Sequence, residues 1–158
     1  MKPLTMLLFP LIALAPAVGR AQTSEPVGAT GAPQATQIRD RAALERLLGN
    51  SGLTLQWISW DERGEATADY STDLLRLKGR QVAANGRGRL ELDGVVTEIG
   101  RDHFTFIGRI DIIDTPDLGR ACHREGPMTF RITQNRRYWR LQEMEVCDGL
   151  TDYVDIYF

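Results

Sequence analysis

His103-Phe104-Thr105-Phe106-Ile107-Gly108-Arg109-Ile110-Asp111-Ile112-Ile113 carries the clearest structural pattern in the chain. Successive side chains of a strand point to opposite faces, so Phe104, Phe106, Ile110 and Ile112 share one face and Thr105, Arg109 and Asp111 the other. One apolar and one polar face at a period of two is the signature of a half-buried antiparallel strand.

The same period runs outward from it. Upstream, Leu53 to Trp60 alternates and ends at the turn Asp61-Glu62-Arg63-Gly64. Leu74 to Val82, Gly88 to Leu92 and Val95 to Ile99 follow, with Lys78-Gly79, Asn85-Gly86 and Asp93-Gly94 as separating turn signals. Downstream, Met128 to Thr133 pairs with Tyr138 to Met144 across Gln134-Asn135-Arg136-Arg137, and Tyr153 to Phe158 is the last strand. About seven or eight short strands joined by tight turns predict an antiparallel meander, and a sheet that long curls or closes. The expected fold is mainly β: a small up-and-down barrel or strongly curved sheet, with a two-sheet β-sandwich as the alternative. Its inner face collects Trp57, Phe104, Phe106, Ile110, Phe130, Ile132, Trp139, Leu141, Val154 and Ile156.

One short helix precedes the strands. Asp40 is placed to cap its N-terminus, Leu44, Leu47 and Leu48 recur at helical spacing, and Gly49 stops it. Residues 22–37 are mostly Pro, Gly, Ala, Thr, Ser and Gln with little to bury, which predicts a flexible leader. Ahead of them, the basic start Met1-Lys2, the apolar run Leu4 to Pro16 and the small residues Gly19 and Ala21 have the layout of a secretory signal peptide. A membrane anchor needs roughly 20 apolar residues, and Pro10, Pro16 and Arg20 interrupt this run. The expected organisation is a signal peptide at 1–21, a leader at 22–37 and a single β-rich domain at 38–158, exported to the periplasm or secreted.

Export governs how the two cysteines read. Cys122 and Cys147 are an isolated pair, most simply a structural disulfide in an oxidising compartment. A redox pair favours Cys-x-x-Cys spacing, and a zinc site would need further ligands beside Cys122 and His123.

The 158 residues carry 19 basic against 21 acidic groups, a formal charge of −2 that becomes −4 once Lys2 and Arg20 are removed with the signal segment. Such a chain has no long-range field to gather nucleic acid. The run Arg136-Arg137-Tyr138-Trp139-Arg140 has the side chains for stacking bases, but hairpin turn plus core tryptophan accounts for it better. The acids Asp111, Asp114 and Asp117 fit no calcium-loop spacing, and Asp114 before Thr115-Pro116 reads as turn chemistry. Asp148, Asp152 and Asp155 form a second acidic group near Cys147. No metal, cofactor or catalytic residue is implied. Neither His103 nor His123 sits in a nucleophile motif or an H-E-x-x-H pattern, so a hydrolase would need Asp and His groups assembled across strands at the barrel mouth.

Binding is the better expectation. If Trp57, Phe104, Phe106 and Trp139 line a barrel mouth, they suit a small apolar ligand or a glycan. Val154, Ile156 and Phe158 resemble the terminal signal of bacterial outer-membrane barrels, but most strands are shorter than the 9 to 11 residues such a barrel wants, and charged residues interrupt their outer faces. The segments Gln134 to Glu143 and Cys147 to Phe158 also resemble the ending of small exported bacterial proteins to which no activity is attached. With Leu53 to Trp60 and Phe104 to Arg120, the resemblance covers most of the folded part and implies a one-domain exported protein. The expected function is non-enzymatic binding of a small apolar ligand, a glycan or an envelope protein.

Overall fold

A computed structural model describes residues 34–158, so the expected signal peptide at 1–21 and all but the end of the expected leader at 22–37 lie outside the described residues. In chain order the elements are β1 (Gln37–Ile38), α1 (Arg41–Leu48), β2 (Leu53–Leu55), β3 (Glu65–Ser71), β4 (Leu74–Val82), β5 (Arg89–Ile99), β6 (His103–Ile113), β7 (Ala121–Arg131), β8 (Tyr138–Leu141) and β9 (Val154–Tyr157).

The strands lie in the order β2-β9-β8-β7-β6-β5-β4-β3, antiparallel throughout. From β3 to β9 every neighbour is also the next strand in sequence. The two ends of this sheet meet at one bridge, where Leu53 and Gly64 exchange backbone hydrogen bonds of 3.1 and 2.8 Å. The result is an up-and-down sheet nearly closed into a barrel, the first of the two architectures expected. Phe104, Phe106, Ile110, Ile112, Phe130, Trp139, Leu141, Val154 and Ile156 are buried inside it, and Trp57 and Ile132 pack against that core.

Two turn signals are overturned. Lys78-Gly79 lies within β4 and Asp93-Gly94 within β5, both in unbroken register with their neighbours. These glycines are needed for closeness and not for turning. A Cβ on Gly94 would lie 2.7 Å from the Gly108 Cα and 2.6 Å from the Phe106 ring, and one on Gly79 would lie 2.0 Å from Leu53. Gly94 faces Gly108 across β5 and β6, so the two backbones approach under the Phe106 ring and the sheet can curl.

Leu53 to Trp60 is the second correction, since the strand stops at Leu55 and a turn follows. The cause is a long-range polar contact that periodicity does not reveal. Buried Gln81 accepts from the Leu55 amide at 2.7 Å and donates to the carbonyls of Ser59 and Glu62, gathering the chain into a loop. β3 forms where no strand was expected, from a polar segment zipped onto β4 from Glu65↔Arg80 to Ser71↔Leu74. β7 starts at Ala121, well ahead of Met128.

Asp40 caps α1 as expected, its side chain accepting from the Ala43 amide at 2.7 Å. Ala43, Leu44 and Leu47 are buried, whereas Leu48 is 41% exposed and lies off the packed face. Arg46 on this helix donates to the Arg101 carbonyl at 3.0 Å and lies over the Trp139 and Phe158 rings, which seats α1 against the β5–β6 turn and the C-terminal residues. The fold also takes in the last residues of the stretch read as leader. The buried Thr36 hydroxyl donates to the Val96 carbonyl at 2.6 Å and accepts from the Leu75 amide at 2.8 Å, and β1 pairs in parallel with β5.

Candidate functional site

Three of the four aromatic residues expected to line a ligand pocket have no free surface. Phe104, Phe106 and Trp139 are fully buried. Phe104 stacks on Phe130 at 4.9 Å and meets Trp139 edge-on at 5.7 Å, so these rings fill the barrel. Their alternation identified the inner face correctly, but a filled core and a lined cavity have the same sequence pattern. Trp57 lies at the loop end, half-buried, and its indole Nε1 donates to Asp152 at 2.8 Å.

Asp152 is the hub of that end. It is fully buried just ahead of β9 and accepts from Arg120 at 3.1 and 2.9 Å, from Arg124 and from Trp57. Arg120 also reaches Asp148 and the Thr115 carbonyl, while Arg124 donates to the carbonyls of Glu143 and Met144. Burial holds the Arg124 pKa below the usual arginine range against the attraction of Asp152. Burial acts the same way on Arg120, but its bonds to Asp152 and Asp148 outweigh it and raise the value. Arg124 Nε is buried with no hydrogen-bond partner among the described residues. Cys122 and Cys147 lie at disulfide distance, Sγ to Sγ 2.05 Å, tying the β8–β9 loop to β7 beside these arginines. The side chains of Asp152, Arg120 and Arg124 are buried and, of the charged groups, only Asp148 reaches solvent, which fits a structural clamp on the loop.

The outer surface carries the residues with something to offer. On β8 and β9, inward Trp139 and Ile156 alternate with outward Tyr138, Arg140, Asp155 and Tyr157. Arg140 clasps Asp155 through Nε and Nη2, both at 2.7 Å, and its guanidinium lies 4.1 Å from the Tyr153 ring, 5.2 Å from Tyr138 and 5.6 Å from Trp60. Tyr138 and Tyr157 are cross-strand partners with rings 5.2 Å apart, and Arg63 from the β2–β3 loop lies 4.1 Å over Tyr157. Burial raises the Asp155 carboxyl pKa despite Arg140, and it raises the Tyr157 phenol, which Thr54 Oγ1 meets at 3.2 Å. The face is a continuous run of rings and guanidinium groups, with Trp60 46% exposed at its edge. Tyr138 and Arg140 belonged to a run read as turn and core. The missed signal was that Tyr138, Tyr157 and Arg140 occupy the positions alternate to the core residues.

The other candidates are distributed elsewhere. His103 pairs with Asp102 at 2.8 Å and His123 with Asp111 at 2.7 Å, each on the outside of the sheet. Asp114 holds its own loop, accepting from the Gly119 amide at 2.8 Å, as turn chemistry predicts. No group of three or more His, Cys, Asp or Glu with metal-binding geometry occurs among the described residues. A groove of about 290 Å³ runs over the outside of β3 to β6, but its lining acids Glu65, Glu91 and Asp93 offset its bases Lys78, Arg80 and Arg109. No helix among the described residues is long and apolar enough to cross a membrane.

A family model described as the PM1083 family matches residues 35–158. An uncharacterized protein of Pasteurella multocida (strain Pm70), PM1083, is 40% identical over 115 residues, which cover 72% of this chain and 74% of that protein. No solved structure matches.

Proposed function

The chain belongs to the PM1083 family, and from that premise we propose that it is an exported, non-enzymatic binding module that docks a protein of the cell envelope through the outer face of β8 and β9. The carrying observation is the run of Trp60, Tyr153, Arg140, Tyr138 and Tyr157 on one surface. Tyr, Trp and Arg are the residues enriched where protein interfaces concentrate their binding energy, because each gives large contact area with a polar tip.

The competing partners fit less well. A small apolar ligand would need the space that Phe104, Phe106, Phe130 and Trp139 fill. A glycan needs bare ring faces, and here Arg63 lies over Tyr157 and Arg140 over Tyr153. Lipid would meet Lys78, Arg80, Glu91, Asp93 and Arg109 on the outside of β4 to β6, the opposite of a membrane barrel's apolar band. A hydrolase-type centre finds its histidines outside the barrel, each committed to a carboxylate. Export is supported by the signal-like segment at 1–21 and by the Cys122–Cys147 pair.

The test is a photo-crosslinking amino acid placed at Trp60, with Tyr70 on β3 as the control position, in cells producing the full chain. A discrete protein adduct from position 60 that is missing from position 70 supports docking. Identical adducts from both positions, or none from position 60, would overturn it.

A further inference from the structure

The arginines on the outside of the sheet are compensated in two different ways. On β4 to β6 most exposed bases have carboxylates: Lys78 pairs with Asp93 at 3.2 Å, Arg80 with Glu91 at 3.6 Å and Arg109 with Asp111 at 2.8 Å, while Arg76 makes no ion pair among the described residues. On the β8 and β9 face only Arg140 does, and it consumes the buried Asp155. Arg63 and Arg136 make no ion pair among the described residues. Each lies over a tyrosine, Arg63 at 4.1 Å from Tyr157 and Arg136 at 5.6 Å from Tyr138. Each also makes one neutral side-chain hydrogen bond, to Ser51 Oγ at 2.6 Å and to Gln134 Oε1 at 3.1 Å.

Stacking on a ring fixes the plane of a guanidinium and leaves N–H donors along its edge, in the fork that matches a carboxylate. Ordering the arginine beforehand removes part of the entropy cost of binding. Arg140 saturates Asp155, so Arg63 and Arg136 keep guanidinium edges without a carboxylate partner, although Asp61 and Glu62 stand exposed next to Arg63 in the same loop, on a chain whose formal charge is −2. A partner whose only match to this protein were bulk charge would be repelled. One that places carboxylates against this face is attracted.

We propose that the surface formed by Arg63 and Arg136 over the Tyr157–Tyr138 pair receives an Asp/Glu-rich segment of the docked protein. The inference rests on the docking reading and adds the chemistry of the partner. Carboxylates on a peptide are favoured over those on a sugar because the stacked guanidinium groups already cover the rings a sugar would use.

The test titrates the full-length oxidised protein with a poly-L-glutamate peptide of about 20 residues, following the NMR shifts of the Trp60 indole N–H and of Tyr138 and Tyr157. Polygalacturonate, inorganic polyphosphate and a Gly/Ser peptide of equal length are run in parallel. Polyglutamate is expected to bind, to weaken as salt is raised, and to lose about tenfold or more in affinity in Arg63→Gln/Arg136→Gln while Arg80→Gln binds normally. Circular dichroism establishes that each variant is folded. The proposal falls if polyglutamate leaves these signals unmoved, if the double variant binds as wild type, or if polygalacturonate or polyphosphate binds as tightly as the peptide. Crosslinks from position 60 without polyglutamate binding would leave docking standing and remove the acidic segment.

Discussion

Replacing Asp152 with Asn should be among the most destabilising substitutions in the domain. The buried carboxylate accepts from Arg120 twice, from Arg124 and from Trp57. An asparagine keeps one acceptor oxygen and turns an NH2 toward the arginines. Arg120 retains Asp148 and the Thr115 carbonyl, but Arg124, nearly fully buried, is left with two backbone carbonyls and no carboxylate hydrogen-bonded to it. Stranding a buried charge in this way costs about 3–5 kcal/mol. In a domain of this size that lowers Tm by roughly 10–25 °C. Arg124→Met in the Asp152→Asn background removes the stranded charge, so the double variant should be more stable than Asp152→Asn alone. Urea and thermal unfolding under oxidising conditions, followed by tryptophan fluorescence, measure all three proteins. A cost below about 1 kcal/mol for Asp152→Asn, or further damage from Arg124→Met, would mean that Arg124 is not stranded by loss of the carboxylate.

Other expectations follow from the same geometry. Cys122→Ser/Cys147→Ser opens a cross-link spanning 25 positions, which the chain-entropy estimate puts at about 3.5 kcal/mol, readable as a lower urea midpoint. An unchanged midpoint would mean that the arginine clamp alone holds the loop. Gly108→Ala drives a Cβ to 2.3 Å from the Asp93 carbonyl oxygen and should cost about 1–3 kcal/mol or more by calorimetry. Phe106→Leu frees the ring contact but not this backbone clash, so it should not rescue the variant. The Asp102 carboxyl, lowered by its bond to His103, should titrate by NMR below the ordinary 3.8 and move up toward it in His103→Ala. Because the folded value is depressed, its contribution to stability is present above that pH and fades as pH falls through the folded pKa.

The alternation from His103 to Ile113, repeated in the neighbouring segments, is enough to read an antiparallel sheet with one buried face, because a period of two exposes which face is buried, but barrel and sandwich share that pattern. What the pattern missed has specific causes. Gly79 and Gly94 looked like punctuation because a glycine that turns the chain and one that lets two strands approach are the same letter. Glu65 to Ser71 has too little apolar content to announce a strand and borrows its order from β4. Trp57 to Trp60 left the strand because Gln81, distant in sequence, holds their backbone. The candidate site was least legible. Core aromatics and surface aromatics are distinguished by which parity they occupy, and Tyr138, Arg140 and Tyr157 declare theirs only once Trp139 and Ile156 are known to be inside.

The order of the strands also has a consequence in time. From β3 to β9 each new strand meets the one just made, so most of the sheet assembles from hairpins with short loops to close. The pairing of β2 with β9 is the exception, joining Leu53 to Ile156 across nearly the whole domain. The barrel therefore stays open, with β2 lacking its partner, until β9 has emerged. A chain threaded through a membrane from its N-terminus would build a growing row of hairpins on the far side and lock only when β9 arrives there.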